Sequence, residues 1–81
     1  MARCATEERL VTIIGANLRA ARLAAGVSQV ELGAALGLSF QQIQKYENGA
    51  TRISAARLLL VAHVLQTPLA DFYKERALEV A

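Results

Sequence analysis

The chain has 81 residues and a net charge of +2, with hydrophobic residues making up 54% of it; that is enough for one domain with a modest core, which would gain from pairing with a second copy. Much of the apolar share is alanine, and no apolar run approaches the roughly 18 residues of a membrane-spanning helix, which excludes a membrane protein. One histidine, one cysteine and no clustered carboxylates supply neither an acid/base pair nor a metal site, which excludes an enzyme and leaves no cofactor to expect.

Residues 1–6 have no periodic pattern and are expected to form a flexible arm, with Arg3 able to reach a duplex and Cys4 an incidental free thiol. The arm lacks the apolar core of a signal peptide, so the expected location is the cytoplasm, on the nucleoid if DNA is the partner. From Glu7 to Ala25 the spacing of Leu10, Ile14, Leu18 and Ala21 predicts a long helix, with Glu7 and Glu8 at its positive N-terminal end and Gly26 as its stop. Its alanine-rich second half, Ala20 to Ala25, allows a neighbouring helix to come close.

Two short helices follow, each with its own start signal. Ser28 with Glu31, and Ser39 with Gln42, both have capping-box spacing, and Gly37 between them allows a sharp turn: a helix-turn-helix in outline. The second helix, Gln29 to Leu36, turns Leu32, Ala35 and Leu36 inward; the third runs from Phe40 to Asn48. On the third, at about 100° per residue, Ile43, Tyr46 and Glu47 share one side and Gln41, Gln42 and Lys45 lie roughly opposite. Amides and an amine in that pattern suit the edges of adenine and guanine in the major groove. A solvated helix shows the same polarity, but the paired caps and the turn favour the DNA reading. Gln41 is the best candidate for adenine and Lys45 for guanine; Gln42 either caps its helix or contacts a base or phosphate; Phe40 either meets a thymine methyl or packs on the second helix.

Gly49 closes the third helix, and Asn48, Thr51 and Arg52 at the following loop are candidate phosphate contacts that would set register without reading sequence. Ser54 caps a fourth helix, Ala55 to Leu65, whose core face is Leu58, Val61, Ala62 and Leu65; Leu60 and Val64 point away from it and need a cover. His63 on its flank has no histidine or carboxylate spaced to join it. Thr67-Pro68 opens a fifth helix with Asp71 in its first turn and Leu69 and Phe72 in the core. Tyr73, Leu78 and Val80 carry an apolar trace into residues 74–81, a tail expected to make a dimer contact together with Leu60 and Val64.

Charge is unevenly placed. Between Arg9 and Arg57 stand six basic residues (Arg9, Arg19, Arg22, Lys45, Arg52, Arg57) against two acidic ones (Glu31, Glu47), so the middle of the chain is +4 and favours a polyanion. These charges are spread over several elements, unlike the single basic stripe of a membrane-surface helix.

Arg22, Gly26-Val27-Ser28-Gln29 with Leu32, Gly37-Leu38-Ser39, Ile43 with Tyr46, Glu47 and Gly49, and Leu58 with Val61, Ala62 and Leu65 together resemble the phage repressor and Cro (XRE) family of helix-turn-helix domains, in the form common among bacterial chromosomal regulators. The resemblance runs from about Ile14 to Phe72. It implies an all-α, five-helix lambda-repressor-like domain over residues 7–73, with the helix-turn-helix formed by helices 2 and 3. It also implies a structural salt bridge between Arg22 and Glu47, and a phosphate contact by Gln29, which the exposed amides of a helix N-terminus would support. Arg19 is left as a solvated or phosphate-facing charge. If Glu47 is occupied internally, the surface around the turn is expected to be more positive still. Gly33 departs from the family's usual alanine, at a helix-propensity cost of up to about 1 kcal/mol.

The function implied is a sequence-specific regulator of transcription, by default a repressor, acting as a homodimer on a palindromic operator in double-stranded DNA. The competing reading is an antitoxin-type module that binds a protein partner as well as its own operator. No small-molecule effector can be named from the residues.

Overall fold

The computed structural model describes residues 5–75. Four α-helices follow in order: α1 (Ala5–Ala24), α2 (Gln29–Leu36), α3 (Phe40–Glu47) and α4 (Ala55–Val64). The axis bends by 104° between α1 and α2. No single helix among the described residues is long and apolar enough to cross a membrane. α1 begins two residues ahead of the expected Glu7. The expected fifth helix is instead a five-residue 3-10 turn, Leu69–Tyr73, with no side-chain cap. Only Phe72 in it is fully buried, while Leu69, expected in the core, is exposed. With one inward side chain, so short a segment gains little from completing α-helical turns.

Side-chain caps start three of the helices. Ser28 Oγ accepts from the backbone N–H of Glu31 (3.0 Å), and the Glu31 carboxylate accepts from the N–H of Ser28 (2.9 Å), a complete capping box. Ser39 Oγ accepts from the Gln42 N–H (3.2 Å) and Ser54 Oγ from the Arg57 N–H (3.1 Å). The Ser39 cap is one-sided: the reciprocal bond from the Ser39 N–H to the Gln42 side chain is not formed. Hydrogen bonds to the backbone and side chain of Ser28 hold the Glu31 carboxyl below its usual range. A depressed folded-state value means that this stabilisation is present above the ordinary glutamate value and is lost as pH falls through the folded one. Ser28→Ala is expected to cost about 1 kcal/mol, measured as a lower urea midpoint. Glu31→Gln should separate from the wild type at pH 7 and converge with it in acid.

The core is Leu18 from α1, Leu32 from α2, Ile43 and Tyr46 from α3, Leu58, Val61, Ala62 and Leu65 from α4 and its end, and Phe72. Ile14 and Leu36 pack against it, whereas Ala35, expected inside, is exposed, as is Leu10 at the start of the apolar spacing in α1. Ala35 lies about 60° round the helix from Leu32 and about 100° from Leu36; α2 packs on α3 and α4, and Ala35 is left exposed. Asn17 ties the end of the described chain to α1: its Nδ2 donates to the carbonyls of Phe72 (2.9 Å) and Lys74 (2.8 Å). Arg9 adds an ion pair with Glu75 at 3.3 Å.

Backbone approaches without side chains between them set the helix angles. A Cβ on Gly33 would lie 2.5 Å from the carbonyl oxygen of Leu38. The residue that costs α2 propensity therefore lets the turn fold back onto it, and Leu38 N–H donates to the Gly33 carbonyl at 2.8 Å. A Cβ on Gly15, in mid-α1, would collide with the Tyr46 carbonyl oxygen and lie 2.8 Å from that of Glu47. Here α1 crosses directly over the last turn of α3.

Candidate nucleic-acid interface

Helices α2 and α3 meet through the turn at Gly37, whose left-handed backbone (φ 72°) ends α2 and redirects the chain within three residues. Along α3 the two sides differ sharply: Ile43, Tyr46 and Glu47 are buried, and Gln41, Gln44, Lys45 and Asn48 are exposed. Gln42 sits on the flank and is half-buried, so the open face is centred on Gln41, Gln44 and Lys45. Gln44 is a member that the sequence reading missed, although its three-residue spacing from Gln41 gives it away. Phe40, at the start of α3, is exposed with its ring available outside the core.

The buried side of α3 ends in a polar hub. Arg22 and Glu47 are each 7% exposed. Arg22 Nε donates to Glu47 Oε2 at 2.5 Å and Nη2 to Oε1 at 3.1 Å, a two-point pair, while Nη1 donates to the Val27 carbonyl at 3.0 Å. Gln29 Nε2 donates to the same Oε1 at 3.0 Å. One carboxylate thus joins α1, the start of α2 and the end of α3. The hydrogen bond that Arg22 donates to Glu47, against the opposing effect of burial and with Coulomb attraction adding to it, holds the guanidinium above its ordinary value, so it stays charged. Because both charges are buried together, the pair leaves the net charge of the surface unchanged. The extra positive surface expected from hiding Glu47 alone is absent for that reason.

The remaining candidates lie around this frame. Arg19 is exposed on α1. Thr51 is half-buried; Arg52 is exposed and stands 3.8 Å from Glu7, a solvated contact that another anion can replace at little cost. Arg57, counted among the basic residues, is turned inward: its Nη1 donates to Tyr46 Oη at 2.8 Å and so fixes α4 to α3. Outside α3, Leu60 (56%) and Tyr73 (47%) are well exposed, Val64 less so, and Leu59 is exposed as well. Leu78 and Val80 lie outside the described residues, as do Arg3 and Cys4. Among the described residues no group of histidine, cysteine, aspartate or glutamate is arranged to hold a metal ion.

Comparison with known proteins agrees with this frame. An uncharacterised HTH-type transcriptional regulator of Sinorhizobium medicae is 42% identical over 62 residues, which are 76% of this chain and 45% of the relative. An uncharacterised transcriptional regulator in the ATPase CF(0) region of Rhodospirillum rubrum is 44% identical over 62 residues, 76% of this chain and 57% of its own length. The chain spans about half the length of these curated relatives. Among solved structures, the clp gene regulator ClgR of C. glutamicum superposes with a TM-score of 0.75 at 33% identity, covering 79% of this chain and 82% of ClgR. The restriction-modification controller protein C.AhdI of Aeromonas hydrophila gives 0.72 at 27% identity, over 78% and 96% of the two chains. The helix-turn-helix family HTH_3 matches residues 18–72, an interval that holds α2, the turn and α3 together with the Arg22–Glu47 hub, and the chain belongs to that family.

Proposed function

We propose that the chain is a sequence-specific, double-stranded DNA-binding regulator of transcription. It acts as a homodimer that places α3 of each subunit in successive major grooves of a palindromic operator, with half-sites about 34 Å apart. The observation that carries this is the division of α3 into a buried side held by α1 and α2 and an open side of Gln41, Gln44 and Lys45. Gln41 and Lys45, with Gln42 and Phe40 at the margin, contact bases; Gln29, Asn48, Thr51, Arg52 and Arg19 contact phosphates. The exposed apolar residues Leu60, Val64 and Tyr73 support pairing with a second copy. By occupying a promoter the dimer represses. Its place of action is the cytoplasm.

Selection of binding sites from a random duplex library tests this reading. An inverted repeat with half-sites one helical turn apart is the expected result; salt-sensitive binding with no enriched sequence would overturn it and move specificity to a protein partner. On the selected site, Gln41→Ala is expected to lose about 1–3 kcal/mol and to relax preference at one base pair per half-site. Arg52→Ala should instead weaken specific and random DNA alike and reduce the salt slope by about one. Equal losses on both DNAs for Gln41→Ala would remove it from base readout.

A further inference from the structure

We propose that Glu47 is a positioning residue for Gln29: the carboxylate that neutralises Arg22 also fixes the Gln29 carboxamide in the orientation that serves a DNA phosphate. The proposal rests on the reading of Gln29 as a phosphate contact, and adds to it the reason that side chain is ready before DNA arrives. A carboxylate only accepts, so the 3.0 Å contact between Gln29 Nε2 and Glu47 Oε1 settles which end of the amide faces the hub. One of the two Nε2 protons is engaged there. The other, together with the Gln29 backbone N–H, which in the first turn of α2 has no intrahelical acceptor, is left for an oxygen from outside.

The carboxylate cannot move to follow the glutamine. Its Oε2 takes Arg22 Nε at 2.5 Å and its Oε1 takes Nη2 at 3.1 Å, both within a buried hub. Gln29 itself is half-buried, and its bond to Glu47 is part-buried, so the side chain is not closed off from outside. Holding a side chain with three rotatable bonds in place ahead of binding removes an ordering cost that corresponds to up to about tenfold in affinity. Because Glu47 ends α3 and Gln29 begins α2, the same contact also sets the distance between the phosphate-binding end of one helix and the reading face of the other.

A double-mutant cycle tests the coupling. The probe is a random-sequence duplex at low salt, since a phosphate contact does not depend on the operator. Gln29→Ala is expected to weaken binding about tenfold in the natural background, and less than about twofold in a background carrying Arg22→Met and Glu47→Leu, where nothing holds the amide. If Gln29→Ala has no effect in the natural background, the phosphate contact itself is wrong and the proposal falls with it. If it costs the same in both, Gln29 touches DNA without help from Glu47, and the proposal alone is overturned. A spectroscopic measurement on the natural protein covers the case in which the double replacement does not fold. The two Gln29 side-chain NH2 protons should be separately shifted and slow to exchange in the free protein, with one of them moving when the duplex is added. Shifts and exchange rates like those of the exposed Gln41 carboxamide would overturn it as well.

Discussion

Glu47→Leu is expected to lower the free energy of unfolding by about 3–5 kcal/mol, because it leaves the Arg22 guanidinium charged, buried and without its partner. Small domains have about 5–15 kcal/mol in total, so a large fraction of the variant should be near its unfolding transition at room temperature. The cost belongs to the stranded charge more than to the lost attraction. Adding Arg22→Met is therefore expected to return most of the stability, since two apolar side chains of similar volume can fill the space that the pair occupied. A residue of about 1 kcal/mol should persist, because the Val27 carbonyl loses the donor that Arg22 supplies at 3.0 Å. Urea denaturation of the natural protein, the single variant and the pair, followed by circular dichroism, checks all three values. A loss below about 1 kcal/mol for Glu47→Leu, the size found for exposed pairs, would mean that water reaches the hub.

Gly15→Ala should be the next most damaging change, and its direction is opposite to what helix propensity alone suggests. In an isolated helix the substitution gains about 1 kcal/mol. In α1 the new methyl group meets the carbonyl oxygens of Tyr46 and Glu47, which are main-chain atoms and cannot rotate aside. Overpacking costs about 1–3 kcal/mol and more where nothing yields, so the net expectation is a loss of about 2 kcal/mol. For a domain of this size that corresponds to a melting temperature lower by about 10 °C. An unchanged or raised melting temperature would show that α1 slides over the end of α3 without cost.

These two residues also mark what could be read from the sequence. Helix starts are local chemistry, and Ser28, Ser39 and Ser54 cap where a hydroxyl before an apolar period says they should. The inward side of α3 follows from its period, and the Arg22–Glu47 expectation followed from family resemblance, since nothing in a spacing of 25 residues pairs them. Gly15 was passed over because a glycine in mid-helix has no partner visible along the chain; the signal available was the propensity it gives up. Asn17 was missed for a similar reason, as its carbonyl partners are more than 50 residues away. Ala35 and Leu69 look like core residues in the sequence because periodicity gives a direction and not a neighbour. The structure covers α2 at Leu32 and the 3-10 turn at Phe72, and leaves those two uncovered. Gln44, two positions beyond Gln42, is exposed on the same side as Gln41 and Lys45, whereas Gln42 is half-buried at its flank; on a helix of eight residues the apolar period is too short to fix which amide lies at the centre of the open side.

The residues that hold α3 in place, Ile43, Tyr46 and Glu47, are separate from those on its open side, Gln41, Gln44 and Lys45. Every buried bond and apolar contact that fixes the helix therefore stays intact when the open side changes. On the proposed reading of α3, two chains of this kind would differ in what they recognise while folding with the same stability, and a library varied at those three positions alone is expected to yield folded members with altered preferences. The helix is mounted like an exchangeable blade: the grip is conserved in the geometry, and the edge is free to be rewritten.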